Sequence, residues 1–357
     1  MAGRRGPGTL GRAIAAFVLT ASLSAVCVGE APRTPACALA RGELTVEDLP
    51  AGSSVRDCRA VGRVVTHDGA GLAVPEPGTT VSVDALTADG SAQDFTMAVA
   101  ADGTVSYAYD ADHARARPRP RRRADAPAPC ADGAYVTAGR KEYGTYEWFL
   151  GDGPLPAHLS RAEVRHAFEA AVAAITAGRN DCGYEDTVTA RARYLSTTDH
   201  DAGIDREARC VRRDGLNVWD AGDIGPEAVA TTCSWSRPVP DGPDELLEAD
   251  VRFNTHDYAF TDQPSDACTH AYDLRSVATH EAGHVFGLGH AGEGHENLTM
   301  YASSFACSTA ARTLGKGDVL GLCSLYCRRR PPEHAGTNGA PPAVGPGGSA
   351  DRQARRG

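Results

Sequence analysis

Apolar and polar residues alternate in three short runs early in the chain: Val81 and Val83, then Phe95, Met97 and Val99, then Val105, Tyr107 and Tyr109. A period of two turns one face of a strand to a core and the other to water. Asp68-Gly69, Asp89-Gly90 and Asp102-Gly103 punctuate the segment as turn signals. The spacing predicts a small all-β, sandwich-like module over residues 44–110, an accessory domain or a prosegment with no catalytic constellation of its own.

The pattern changes after residue 130. Ser160-Arg161-Ala162-Glu163 reads as a capping box. It opens a helix whose apolar stripe is Val164, Phe168, Ala171, Val172 and Ile175. Tyr143 to Leu150, Val188 to Leu195, Leu216 to Trp219, Thr231 to Trp235 and Ala249 to Phe253 are strand candidates. Helices are expected from about Tyr272 to Phe286 and around Asp318 to Leu325. Strands with flanking helices make residues 130–327 an α+β domain built on an α/β-type mixed twisted sheet.

The ends and the junction have a different composition. Residues 1–30 read as a signal peptide, with Arg4, Arg5 and Arg12 before an apolar run from Ala13 to Val28. Residues 111–129 form an Arg/Pro-rich linker, in which Arg121-Arg122-Arg123 offers a processing protease an exposed site. Residues 328–357, rich in Pro, Gly and Arg, read as a disordered tail. The 357 residues carry 36 basic and 46 acidic side chains, a net charge of −10. That balance argues against a nucleic-acid binder or a polybasic membrane binder. Ten cysteines remain once Cys27 leaves with the signal. An even number in an exported chain favours disulfides, and the protein is expected to be secreted. A zinc or redox site at Cys323-x-x-x-Cys327 is the rival, but no second Cys pair completes four ligands.

One segment carries chemistry: His280-Glu281-Ala282-Gly283-His284-Val285-Phe286-Gly287-Leu288-Gly289-His290. On a helix, residues four apart share a face, so His280 and His284 can grip one ion. Gly287 tolerates positive φ, so the helix can end there and His290 can return as a third ligand. Three neutral imidazoles suit Zn²⁺ and leave the fourth position to water, as in catalytic rather than structural sites. Glu281 is rotated about 100° from His280 around the helix and can face that water instead. Zinc lowers the pKa of its water to about 7, and a nearby carboxylate can take the proton and pass it to a leaving amine. A structural zinc beside an inert Glu281, in an exported binding protein or adhesin, is the competing reading.

HExxHxxGxxH followed by a Met-turn is the metzincin signature, and Asn297-Leu298-Thr299-Met300-Tyr301 completes it. Among metzincins the chain resembles the matrixins, in particular secreted bacterial matrixin-like peptidases. Met300-Tyr301, the strand Glu248 to Phe253 and the closing segment Leu314 to Tyr326 carry the likeness. The resemblance implies a zinc-dependent endopeptidase acting on polypeptides. It implies Met300 as an apolar floor under the imidazoles, and Tyr301 with the loop Ala302 to Thr313 as a candidate S1′ wall. His290 at the third ligand disfavours the snapalysin-like subgroup, and Tyr301 directly after Met300 disfavours the astacin-like one. Ala302 stands where matrixins have Pro. Pro129-Cys130-Ala131-Asp132 only faintly echoes the family's cysteine switch, and a disulfide is the expected role of Cys130. Calcium ligands are not assignable; Asp199, Asp201 and Asp205 read as solvated loop residues, and His295 as a surface histidine. A monomer is expected, with no nucleic-acid partner and no stable membrane insertion after signal removal.

Overall fold

The computed structural model describes residues 39, 41–90, 94–109, 125–185 and 188–327. The expected signal peptide, residues 111–124 of the linker and the tail 328–357 lie outside the described residues. The chain opens with β1 (Leu44–Thr45), α1 (Val55–Cys58), β2 (Val64–His67) and β3 (Ala70–Ala73), and continues with β4 (Thr79–Thr87), β5 (Phe95–Val99) and β6 (Val105–Tyr109). Then come β7 (Val136–Thr137), β8 (Arg140–Lys141), β9 (Tyr146–Gly151), α2 (Arg161–Ala177), β10 (Ala192–Thr198) and β11 (Asn217–Gly222). The last part holds β12 (Ala228–Arg237), β13 (Asp244–Asn254), β14 (Phe260–Thr261), β15 (Tyr272–Asp273), α3 (Leu274–Val285), β16 (Leu288–Gly289) and α4 (Lys316–Tyr326).

The main sheet runs β10-β9-β11-β13-β12-β4-β5-β6, with β8 pairing β13. The strands β10, β9, β11 and β13 are parallel to one another, and β12 turns antiparallel against β13. The expected mixed sheet with few helices is present. The expected separate sandwich over residues 44–110 is not. β4 pairs antiparallel with β12 over most of its length, so β4, β5 and β6 extend the same sheet. The cause is a shared apolar face. Val81, Val83, Phe95 and Met97 lie in one buried cluster with Ile204, Val218 and Trp235 from the later part of the chain. The short sheet β1-β2-β3 closes that cluster, and the early segment therefore has no core of its own.

The opposite face of the sheet carries α2 and α3. Ser160 caps α2 in the predicted box, and Gly178 ends it in the left-handed conformation at φ +68°. Val164, Phe168, Ala171, Val172 and Ile175 are all buried. Phe168 stacks on Phe253 at 4.7 Å between centroids and meets Trp219 at 5.1 Å. Buried polar atoms within this layer find partners: Tyr146 Oη donates to the Ala249 carbonyl at 2.7 Å and accepts from Trp219 Nε1 at 3.0 Å.

Among the described residues, four disulfides join Cys130 to Cys182, Cys210 to Cys233, Cys268 to Cys307 and Cys323 to Cys327. Cys130 is thus bonded to sulfur and is not a thiolate switch on a metal. Among the described residues, no helix is long and apolar enough to cross a membrane. Phe168→Ala is expected to cost about 3–5 kcal/mol through the cavity it leaves, read as a lowered urea midpoint at unchanged slope.

Candidate metal centre

The site begins at Asp273, whose side chain caps α3 by accepting from the Ser276 amide at 2.9 Å. Arg312 reinforces the cap by donating to both carboxylate oxygens of Asp273. The helix then runs buried from Ser276 onward, with His280, Glu281 and His284 at 2%, 0% and 0% exposure. It stops at Gly287, where φ is +90° and a side chain would meet the Arg140 carbonyl oxygen at 2.1 Å. Only glycine tolerates both constraints. The reversal returns His290 to the helix.

The three imidazoles converge. The distance from His280 Nε2 to His284 Nε2 is 3.0 Å, and His290 Nε2 is 3.1 Å from each. Each Nδ1 has its own acceptor: the Thr299 carbonyl for His280 at 2.7 Å, the Leu288 carbonyl for His284 at 3.1 Å, and the Asp94 carboxylate for His290 at 2.8 Å. A carbonyl oxygen can only accept, so Nδ1 carries the hydrogen and Nε2 keeps its lone pair. Burial, then repulsion from His290, holds His280 down at about 3, and the same causes lower His284. Both are therefore neutral near pH 7, the form that binds metals. Burial opposes protonation of His290 as well, but the charge and hydrogen bond of Asp94 raise it. Four-coordinate Zn²⁺ with bonds of about 2.0–2.1 Å separates its nitrogens by roughly 3.3–3.4 Å. The donor set and its spacing fit that ion, with His280 and His284 already in the neutral form.

Glu281 points from the same helix toward β12. Its Oε2 accepts from Thr232 Oγ1 at 2.6 Å, while Oε1 is buried without a hydrogen-bond partner. Burial pushes its pKa up to about 8. Met300 lies beneath the helix at 2% exposure. A side chain on Gly283 would meet Met300 Sδ at 2.2 Å, so that glycine makes room for the sulfur. Asp318 of α4 holds the turn by accepting from the Thr299, Met300 and Gly315 amides at 3.0, 3.2 and 2.8 Å.

A cavity of about 30 Å³ lies beside His280, lined on one side by Ser303, Ser304 and Phe305 from the expected loop. Tyr301 is not part of that lining; its ring stacks on Phe305 at 6.2 Å. His295 binds Asp132 at 2.8 Å and is not among the three clustered histidines. Three contributors had no motif to mark them: Asp94 on His290, Thr232 on Glu281, and the buried ion pair of Arg140 with Asp84 at 3.0 Å. Arg140 also donates to the His284 carbonyl at 3.1 Å, a cation at the C-terminal end of the helix.

Residues 235–327 match the sequence model of the family described as Matrixin. The matched stretch contains all three histidines, Glu281 and Met300, and over it the chain is similar to the matrixins. No curated protein matches the chain.

Gly287→Ala is expected to lose at least about 1–3 kcal/mol from positive-φ strain alone, measured by thermal unfolding, and to weaken zinc retention against a chelator. A second expectation concerns pH. Burial raises Asp318 from 3.8 to about 6 against the pull of its three amide bonds. The native state therefore keeps a proton that the unfolded chain releases between pH 4 and 6. That part of the stability is present in full below pH 4 and is lost as pH rises through 6. Urea midpoints of Asp318→Asn across pH 4–7 should lack this component of the slope.

Proposed function

We propose that the protein is a secreted zinc-dependent endopeptidase. The observation that carries this reading is the convergence of three imidazole Nε2 atoms within 3.1 Å beside a buried carboxylate that has one oxygen to spare. His280, His284 and His290 would hold the ion. Zn²⁺, when bound, acidifies water and polarises the scissile carbonyl.

The chain's own groups do the rest. Glu281 Oε1 serves as general base to the attacking water and then returns the proton to the leaving amine. Burial by itself favours the protonated acid at Glu281, but a cation held by the three histidines would favour the carboxylate. Thr232 fixes the carboxyl group through Oε2, so the free oxygen keeps its direction. Met300 would give the rings an apolar floor, and the three Nδ1 acceptors hold them in one orientation. The four disulfides support an oxidising, extracellular setting, and the apolar run before residue 30 supports export through a signal peptide. The substrate partner is a polypeptide, taken by a monomeric chain.

Glu281→Gln tests this directly. Hydrolysis of a quenched peptide library should fall by at least about a thousandfold while one zinc per chain remains by elemental analysis. Retained turnover in that variant would remove Glu281 from the reaction. Zinc retention with no turnover in the unaltered chain under any treatment would favour a binding protein with a structural metal.

A further inference from the structure

The three clustered imidazoles do not share one kind of partner. His280 and His284 give their Nδ1 hydrogens to the Thr299 and Leu288 carbonyls, 19 and 4 residues away. Both acceptors lie inside the stretch that is similar to the matrixins. For His290 the acceptor is a carboxylate instead. Its Nδ1 lies 2.8 and 2.9 Å from the two oxygens of Asp94, a residue 196 positions earlier and outside that stretch. Among the described residues, Asp94 is the one carboxylate hydrogen-bonded to a clustered imidazole.

The pairing of β4 with β5 puts it there. The two strands run antiparallel from Thr79 opposite Val99 to Val83 opposite Phe95. Val83 and Phe95 are each 1% exposed, in the apolar cluster they share with Trp235 and Ile204. Side chains alternate along a strand, so the next positions in that register, Asp84 and Asp94, turn to the opposite face, toward the histidines. Two carboxylates thus arrive together, but their surroundings differ. Asp84 forms a buried ion pair with Arg140 at 3.0 Å and stays 4.0 Å from His284 Nδ1, beyond hydrogen-bond reach. Asp94 turns both oxygens to His290, whose side chain is 5% exposed.

We propose, resting on the zinc site described above but not on peptide hydrolysis, that Asp94 is a positioning residue that tightens the hold of His290 on the ion, so that the metal centre is built from two stretches of chain: residues 280–290 and the β4–β5 hairpin. An imidazole that gives its N–H to a carboxylate is fixed in orientation and becomes a more basic donor at its other nitrogen. Partners of this kind are worth about 10–100-fold in metal affinity. His290 has the greater need of one. His280 and His284 are held four residues apart on α3, whereas His290 lies beyond the helix, past the turn at Gly287. A ring outside regular structure loses more freedom on taking an ion unless something already holds it.

The test titrates the metal-free full-length chain with Zn²⁺ against a chelator of known affinity, beside Asp94→Ala, Asp94→Asn and Asp94→Glu, with folding checked by near-ultraviolet circular dichroism. Asp94→Ala is expected to bind zinc at least about tenfold more weakly. Asp94→Asn keeps an acceptor oxygen without the charge and should fall between Asp94→Ala and the unaltered chain. Asp94→Glu restores the carboxylate and should recover most of the affinity, an order that a purely structural role would not produce. Affinity in folded Asp94→Ala within about twofold of the unaltered chain, well short of the expected range, overturns the proposal and leaves the zinc site standing. No zinc binding by the unaltered chain overturns both. Proton NMR of the cobalt-loaded chain gives an independent readout. It should show an exchangeable, paramagnetically shifted N–H signal from each of the three imidazoles, and Asp94→Asn should move the His290 signal alone. Three unmoved signals in that variant would also overturn the proposal.

Discussion

Everything at the centre of this molecule follows from holding three buried imidazole rings with their Nε2 atoms within 3.1 Å of one another. Burying a histidine near others like it disfavours its charge, as the lowered values of His280 and His284 show. A neutral ring still has one N–H that needs an acceptor. The structure supplies one acceptor per ring, from Thr299, Leu288 and Asp94, and thereby aims every remaining lone pair at one point. The other features of the site serve that arrangement. Gly287 allows the reversal that brings His290 back, Gly283 leaves room for Met300, and Asp318 gathers the amides of the turn that carries Thr299.

The β12 strand links this chemistry to the rest of the fold. It supplies Thr232 to Glu281, pairs with β13 on one side and accepts β4 on the other. Its position explains why the early segment is not a free-standing module. An exposed strand edge is costly to leave open, and β4 satisfies that backbone row by pairing with β12. On the opposite face, Val81 and Val83 share a core with Trp235 and Ile204, which fixes the register that carries Asp94 to His290.

Local patterns were legible where a period or a cap dominates. The alternation at Phe95, Met97 and Val99 marked β5, and Ser160 with Glu163 marked the start of α2. The helix expected from Tyr272 to Phe286 forms as Leu274–Val285, trimmed at its start because Asp273 is the cap rather than a helical residue. The strand expected at Val188 to Leu195 lies a few residues later, at Ala192–Thr198, where pairing with β9 sets its limits. Short strands such as Leu44–Thr45 were not legible, because two residues carry no period.

The sequence by itself determined the donor set and its local geometry. His280 and His284 share a helix face by spacing alone, and Gly287 licenses the turn that frees His290 to join them, because helical periodicity and glycine's freedom at positive φ are properties of the chain within a few residues. What only the tertiary structure decided is what surrounds that set. Asp94 lies 196 residues from His290, Thr232 lies 49 from Glu281 and Asp84 lies 56 from Arg140. Contacts at such separations depend on strand order and register, which arise when two stretches bury a common apolar face, and no local pattern encodes that choice.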